Sequence, residues 1–273
     1  MPNIAILPST ASVAGQRYPE EKASSMNVFR AAWVLGLLAA PPVSAAQKTI
    51  LINDTLTANA DKLKVNNPAQ HTGRIAGWRF GDYAVATSKQ GPIKTTTRQG
   101  FNSKADSSTS EEFSFVLINK TMDSAMVNAA RNSKVQLLRG SQPRNGWSLG
   151  ADEVVRESDS LAAFITINRD TSDTWEFFLA VTRSPSYTGF LTNGERRITV
   201  AVASSNRNAL DLKGWPALGY EFLEDGRSLG AIQYVGGLWR PAQFVWLDRN
   251  LDARTKLLLA AAMTTVLQMN RAS

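Results

Sequence analysis

Near the C-terminus, Leu257, Leu258, Leu259, Ala260, Ala261, Ala262, Met263, Val266, Leu267 and Met269 fall in one run broken only by Thr264, Thr265 and Gln268. At 3.6 residues per turn these apolar side chains point in every direction around a helix. Such a helix is either buried on all sides or surrounded by lipid. The run is shorter than the roughly 20 residues a bilayer demands, so burial within the protein is expected. Asp252 stands where an N-cap belongs, and the helix is expected over residues 253 to 270. Whatever surrounds it comes from the rest of the chain.

The rest of the chain reads as β. Short runs rich in β-branched and aromatic residues alternate with turn residues. Residues 49–52 form a first candidate strand, residues 62–72 a polar loop, and 74–80 with 82–88 a strand pair around Gly81. A long Thr/Ser/Lys stretch, 90–110, reads as a mobile loop. Strong strand signals follow at 112–119, where Phe113, Phe115 and Leu117 share a face, and at 174–182, where Trp175, Phe177 and Leu179 alternate with Glu176 and Phe178. Residues 122–131 read as a short helix or an irregular strand. Segments 134–139, 153–156 and 161–168 read as three separate strands. Asn193-Gly194 leads into 196–204. Tyr220–Glu224, Asp225-Gly226 and 227–235 form a hairpin by the Asp-Gly rule. The strand 238–247 carries Pro241, which places it at an edge or a bulge. The expected fold is mainly β: an antiparallel, strongly curved sheet or barrel packed around the hydrophobic C-terminal helix.

The segment from Phe222 to Gln233 (FLEDGRSLGAIQ), followed by Phe244-Val-Trp-Leu247 and the helix, resembles the tubby, LURP-one and scramblase-like barrels. The likeness covers about residues 220–270. It implies a closed antiparallel barrel filled by its C-terminal helix, and it assigns no functional role to any residue of this chain.

The start of the chain reads as an export signal. Arg30 supplies a positive n-region, Ala31 to Ala40 an apolar core, and Pro41-Pro42 a helix break. Val43-Ser44-Ala45 places small residues ahead of a cleavage point after Ala45. Residues 1–25 read as a disordered leader, or as sequence upstream of a start at Met26. Residues 46–273 then form one domain. Removing residues 1–45 takes away Arg17, Lys22 and Arg30 with Glu20 and Glu21, so the formal charge of +7 becomes +6. The expected location is the periplasm or the extracellular space, which suits a chain with no cysteine that relies on its core alone.

Composition narrows the chemistry. There is no cysteine and one histidine, His71. That excludes disulfides, zinc ribbons, thiolate nucleophiles and His-pair metal sites. His71 has no G-x-S-x-G elbow to serve and reads as an exposed loop residue. No cofactor, metal or catalytic residue is expected. The carboxylate pairs Glu111-Glu112, Asp152-Glu153 and Glu224-Asp225 are sequence neighbours. On a strand they face opposite ways, so none forms a glycosidase pair by spacing; all read as solvated charges. Trp175 and Trp246, within alternating strands, read as core, while Trp147 and Trp215, near turns, are candidates for an exposed stacking surface, with Trp78 and Trp239 further tryptophans of the same set. Two N-x-T sequons occur at Asn53 and Asn119. The dispersed Lys and Arg argue against nucleic acid and leave an anionic envelope surface or lipid as the partner class. The ligand is unknown at this level. The expected function is a non-catalytic, envelope-associated binding protein, with a carboxylate-dependent hydrolase and a peripheral binder of anionic lipid as the other readings.

Overall fold

A computed structural model describes residues 48–67, 77–99, 104–138, 153–182, 188–207, 216–236 and 242–269. Among them, thirteen strands form one antiparallel sheet. In chain order they are β1 (Ala60–Lys64), β2 (Arg79–Phe80), β3 (Tyr83–Gln90), β4 (Lys94–Gln99), β5 (Lys104–Ile118), β6 (Ser124–Leu138), β7 (Glu153–Ile167), β8 (Thr174–Thr182), β9 (Thr188–Thr192), β10 (Arg197–Ser204), β11 (Ala217–Glu224), β12 (Arg227–Gly236) and β13 (Phe244–Asp248). A short helix α1 (Asp54–Asn59) precedes β1, and α2 (Ala253–Met269) ends the described chain. The strands pair in the order β1-β13-β12-β11-β10-β9-β8-β7-β6-β5-β3-β2, with β4 beside β5 in line with β3. Just past β1, Asn66 exchanges two backbone hydrogen bonds with Arg79 of β2, N–H to O at 2.8 and 3.1 Å. The first and last strands of the sheet thus meet, and the barrel is nearly closed.

The expected architecture holds. All residues from Leu257 to Met269 are buried. The helix starts on Asp252, whose Oδ1 accepts from the Thr255 N–H at 2.9 Å. It packs against β6, β7, β12 and β13. These strands turn small residues to it: Ala125, Ala129 and Ala163 on β6 and β7, and Gly230 on β12, where a Cβ would come within 2.9 Å of Met263 Cε. Bulky inward side chains fill the remaining space, among them Phe115, Phe177, Tyr220 and Phe222. Thr264 and Thr265 are buried but satisfied, donating to the carbonyls of Ala260 and Ala261 at 2.8 and 2.9 Å.

Several local expectations change. Residues 49–52 form no strand. Ile50 and Leu56 lie instead on the outer face of the β10–β13 wall, against Ala203, Ala217, Ala231 and Trp246. Buried Gln233 fixes this segment, accepting from the Ile50 N–H at 3.1 Å and donating to the Ala242 carbonyl at 3.0 Å. That cover explains why β12 is buried on both faces. The polar stretch expected as a loop from Lys62 begins with the end of β1 (Ala60–Lys64), which flanks β13. So β13 is not an edge, although Pro241 itself lies outside the described residues. Within the stretch 90–110, expected as a loop, Lys94–Gln99 of β4 pairs antiparallel with Ala105–Ser110 of β5. The Thr and Ser residues of this stretch favour extended backbone without the apolar alternation that marks a half-buried strand. The segments expected at 122–131 and 134–139 join over Ser124–Leu138 as β6, and those at 153–156 and 161–168 join over Glu153–Ile167 as β7. At about 3.4 Å per residue, these fifteen-residue strands reach roughly 50 Å. Together β5, β6 and β7 run past the ends of β3 and β8. With β4 they form a four-stranded polar extension, the arm.

Candidate functional site

Among the described residues, the outer wall over β5–β9 has no cover like that which residues 48–59 give the opposite wall. Its apolar residues stand out: Phe164 is 55% exposed, Met126 39% and Phe178 37%. The register arranges the outward side chains in two cross-strand rows. One runs Glu112, Ala130, Ala162, Phe178, Phe190, and the other Lys89, Ser114, Asn128, Phe164, Glu176. The paired alanines leave a depression that the flanking phenylalanines bound. On the β3 side the chain breaks at Gly91-Pro92. The Gly91 N–H donates to the Glu112 carbonyl at 2.7 Å, and a Cβ on Gly91 would sit 3.1 Å from that oxygen. The result is a groove of about 510 Å³ with an alanine floor, a Phe164 wall and a polar rim of Lys89, Glu112, Ser114 and Asn128. Beyond it, the Phe178 and Phe190 rings are 5.8 Å apart and the Arg197 guanidinium lies 4.3 Å over Phe190.

Several acids elsewhere are engaged. Asp159 and Arg131 pair inside the barrel mouth, with side chains 9% and 12% exposed. Arg227 reaches Asp248 at 2.6 Å, Arg196 reaches Glu224 at 2.9 Å, and Arg254 holds Asp170 and Asp173. Hydrogen bonds from Asn193, with Arg254 beside them, hold the Asp173 carboxyl below its usual range, against the opposing pull of partial burial. At the β5–β6 turn, donors on Thr121, Asn119 and Asn168 do the same for the half-buried Asp123. These contacts pin turns and barrel rims.

The expected opposition of adjacent acids is seen at Glu111 and Glu112. Glu112 is exposed on the groove rim. Glu111 faces inward and is buried, accepting from Gln90 Nε2 at 2.8 Å, so its reading as a solvated charge is corrected. Asp225 sits in its turn at φ 49°, followed by Gly226 at 77°, as an Asp-Gly hairpin requires. Trp78, Trp175 and Trp246 are core residues. His71, Trp147, Trp215, Trp239 and Asp152 lie outside the described residues. Sequence reading overlooked the groove. Its one legible trace was Phe164 and Phe178 on the faces opposite Leu161, Ala163, Trp175 and Phe177.

No protein-family model matches the chain, and no curated protein and no solved structure matches it either.

Proposed function

We propose that this chain is an exported, non-catalytic binding protein of the cell envelope whose ligand docks in the outer-wall groove between Gly91-Pro92 and Phe164. The observation that carries this reading is the position of α2. A helix buried along Leu257–Met269 occupies the bore, so recognition falls to the wall, where small floor residues, an aromatic side and convergent polar groups meet. The leader-like residues 26–45 supply the export half of the reading. The resemblance to tubby, LURP-one and scramblase-like proteins stands here as a shared plan of barrel and helix and lends no ligand.

A glycoside hydrolase needs two carboxyls facing each other about 5 to 10 Å apart. The groove lining holds one acid, Glu112, and the Lys89 ammonium on the same rim. That composition suits holding a ligand better than cleaving one.

The test is binding of the purified protein, cleaved after Ala45, to washed cell envelopes. Ala162→Trp fills the floor from an outward position and leaves the core untouched. Strong loss of binding with an unchanged melting curve supports the reading. Equal binding by Ala162→Trp and wild type sinks it, and so does an intact N-terminus at Met1 in cytoplasmic protein.

A further inference from the structure

The arm presents a second concave surface, on the outward faces of β4–β7, of about 580 Å³. Its register is regular. Arg98 pairs with Asp106 and Asp106 with Gln136, while Thr96 pairs with Ser108 and Ser108 with Lys134. Gln136 Nε2 donates to Asp106 Oδ1 at 2.8 Å, which occupies one oxygen of the single acid in the lining. The side chains of Arg98 and Lys134 are exposed and, among the described residues, have no hydrogen-bond or ion-pair partner. This contrasts with Arg131, Arg196, Arg227, Arg249 and Arg254, each of which holds an acid. Lys94 adds a third outward cation in the next row, opposite Ser110.

From this geometry we infer that the arm is a binding site for an anionic glycan, a hydroxyl-rich chain carrying sulfate, phosphate or carboxylate groups. Guanidinium and ammonium groups recognise oxyanions by charge-assisted hydrogen bonds. The Ser and Thr hydroxyls between them donate to and accept from sugar hydroxyls. Arg98 and Lys134 stand two strands and two residues apart, roughly 12 Å between Cα atoms at ordinary sheet spacing. An extended chain with repeated charges spans that distance, and a lone small anion does not. A membrane surface fits less well. The lining contains no aromatic residue and only Val135 as an aliphatic one, whereas interfacial binding draws on buried apolar area.

The inference goes beyond the groove reading and fails separately from it, because the two sites sit on different stretches of the wall and use different variants. A sulfated glycan hexasaccharide serves as the probe, with an uncharged maltohexaose and phosphatidylglycerol-containing vesicles beside it. Titration calorimetry compares wild type, R98Q/K134Q, and K64Q/K120Q, which removes two exposed lysines elsewhere and so matches the charge change. The expected result is hexasaccharide binding that weakens with salt, falls at least tenfold in R98Q/K134Q and stays within twofold in K64Q/K120Q. Ala162→Trp leaves it unchanged. Equal weakening in both double variants reduces the effect to net charge and overturns the inference. Tight binding of maltohexaose, or of vesicles without hexasaccharide, overturns it too, and so does failure of wild type to bind the hexasaccharide.

Discussion

Arg131 Nη1 donates to the carbonyl oxygen of Met269 at 2.7 Å, joining the middle of β6 to the last turn of the buried helix. The same guanidinium donates from Nε to both oxygens of Asp159 at 3.0 and 2.9 Å. A helix C-terminus carries partial negative charge on carbonyls that lack an intrahelical donor. Inside a barrel mouth water cannot serve them freely, and one cation answers both the carbonyl and the carboxylate. Arg131→Met is expected to cost about 3 to 5 kcal/mol, because it strands a buried carboxylate. The double variant R131M/D159L is expected to recover much of that loss. Urea unfolding checks both, and a double variant as unstable as the single one would contradict this account.

Leu258 is 2% exposed and belongs to the continuous core that links helix and strands. Leu258→Ala removes transfer energy and leaves a cavity that the encircling sheet cannot close, so about 2 to 5 kcal/mol should be lost. Truncation before Leu257 should leave an aggregating chain without a cooperative transition. A truncated protein that melts sharply at the wild-type temperature would make the helix a detachable tail.

Legibility from sequence followed burial. The helix was plain because it is apolar on every side, and β8 and the β11–β12 hairpin because one face alternates or the turn demands positive φ. The arm was not. Residues such as Thr95, Thr97, Ser107 and Thr109 have little core to face, so no period of two is written into their hydropathy; cross-strand pairing alone keeps them extended. The segment around Ile50 misled for the opposite reason, since an apolar run can cover a sheet without joining it. The groove depends on which residues become neighbours across strands far apart in sequence, as Ala130 and Ala162 do, and local patterns do not encode that.

Gly219 marks one point where that cover lies close to the sheet. A Cβ there would collide with the Ile232 carbonyl oxygen and stand 2.9 Å from Ile50 Cδ1, at a register shift in the β11–β12 ladder. Because one neighbour is backbone, rotamer change cannot relieve the clash. Gly219→Ala is expected to cost about 1 to 3 kcal/mol and to raise protease sensitivity of the segment around Ile50. Unchanged stability with unchanged proteolysis would show that the two layers are not in contact there.

Acid should destabilise this protein through identifiable aspartates. Burial works against ionised Asp248, but the Asn250 N–H at 2.9 Å and the Arg227 guanidinium at 2.6 Å outweigh it and hold its carboxyl below the ordinary range. Asp252 behaves alike: burial opposes the charge, and the Thr255 N–H at the start of α2 prevails. A carboxyl whose pKa is lower folded than unfolded stabilises the fold above its unfolded value, about 4. That stabilisation disappears as pH falls through the folded value. Stability should therefore be level from about pH 5 to 7 and decline below about pH 4. Asp248→Asn should be less stable than wild type at pH 7, and the gap should close toward pH 2, where the native aspartate is neutral too. Asp252→Asn should differ little at neutral pH, because asparagine caps a helix about as well as aspartate, and should show a shallower acid slope. Urea midpoints measured from pH 2 to 7 decide the matter: a gap between Asp248→Asn and wild type that persists undiminished at pH 2 would mean that the side chain acts there through shape and hydrogen bonding rather than through its charge.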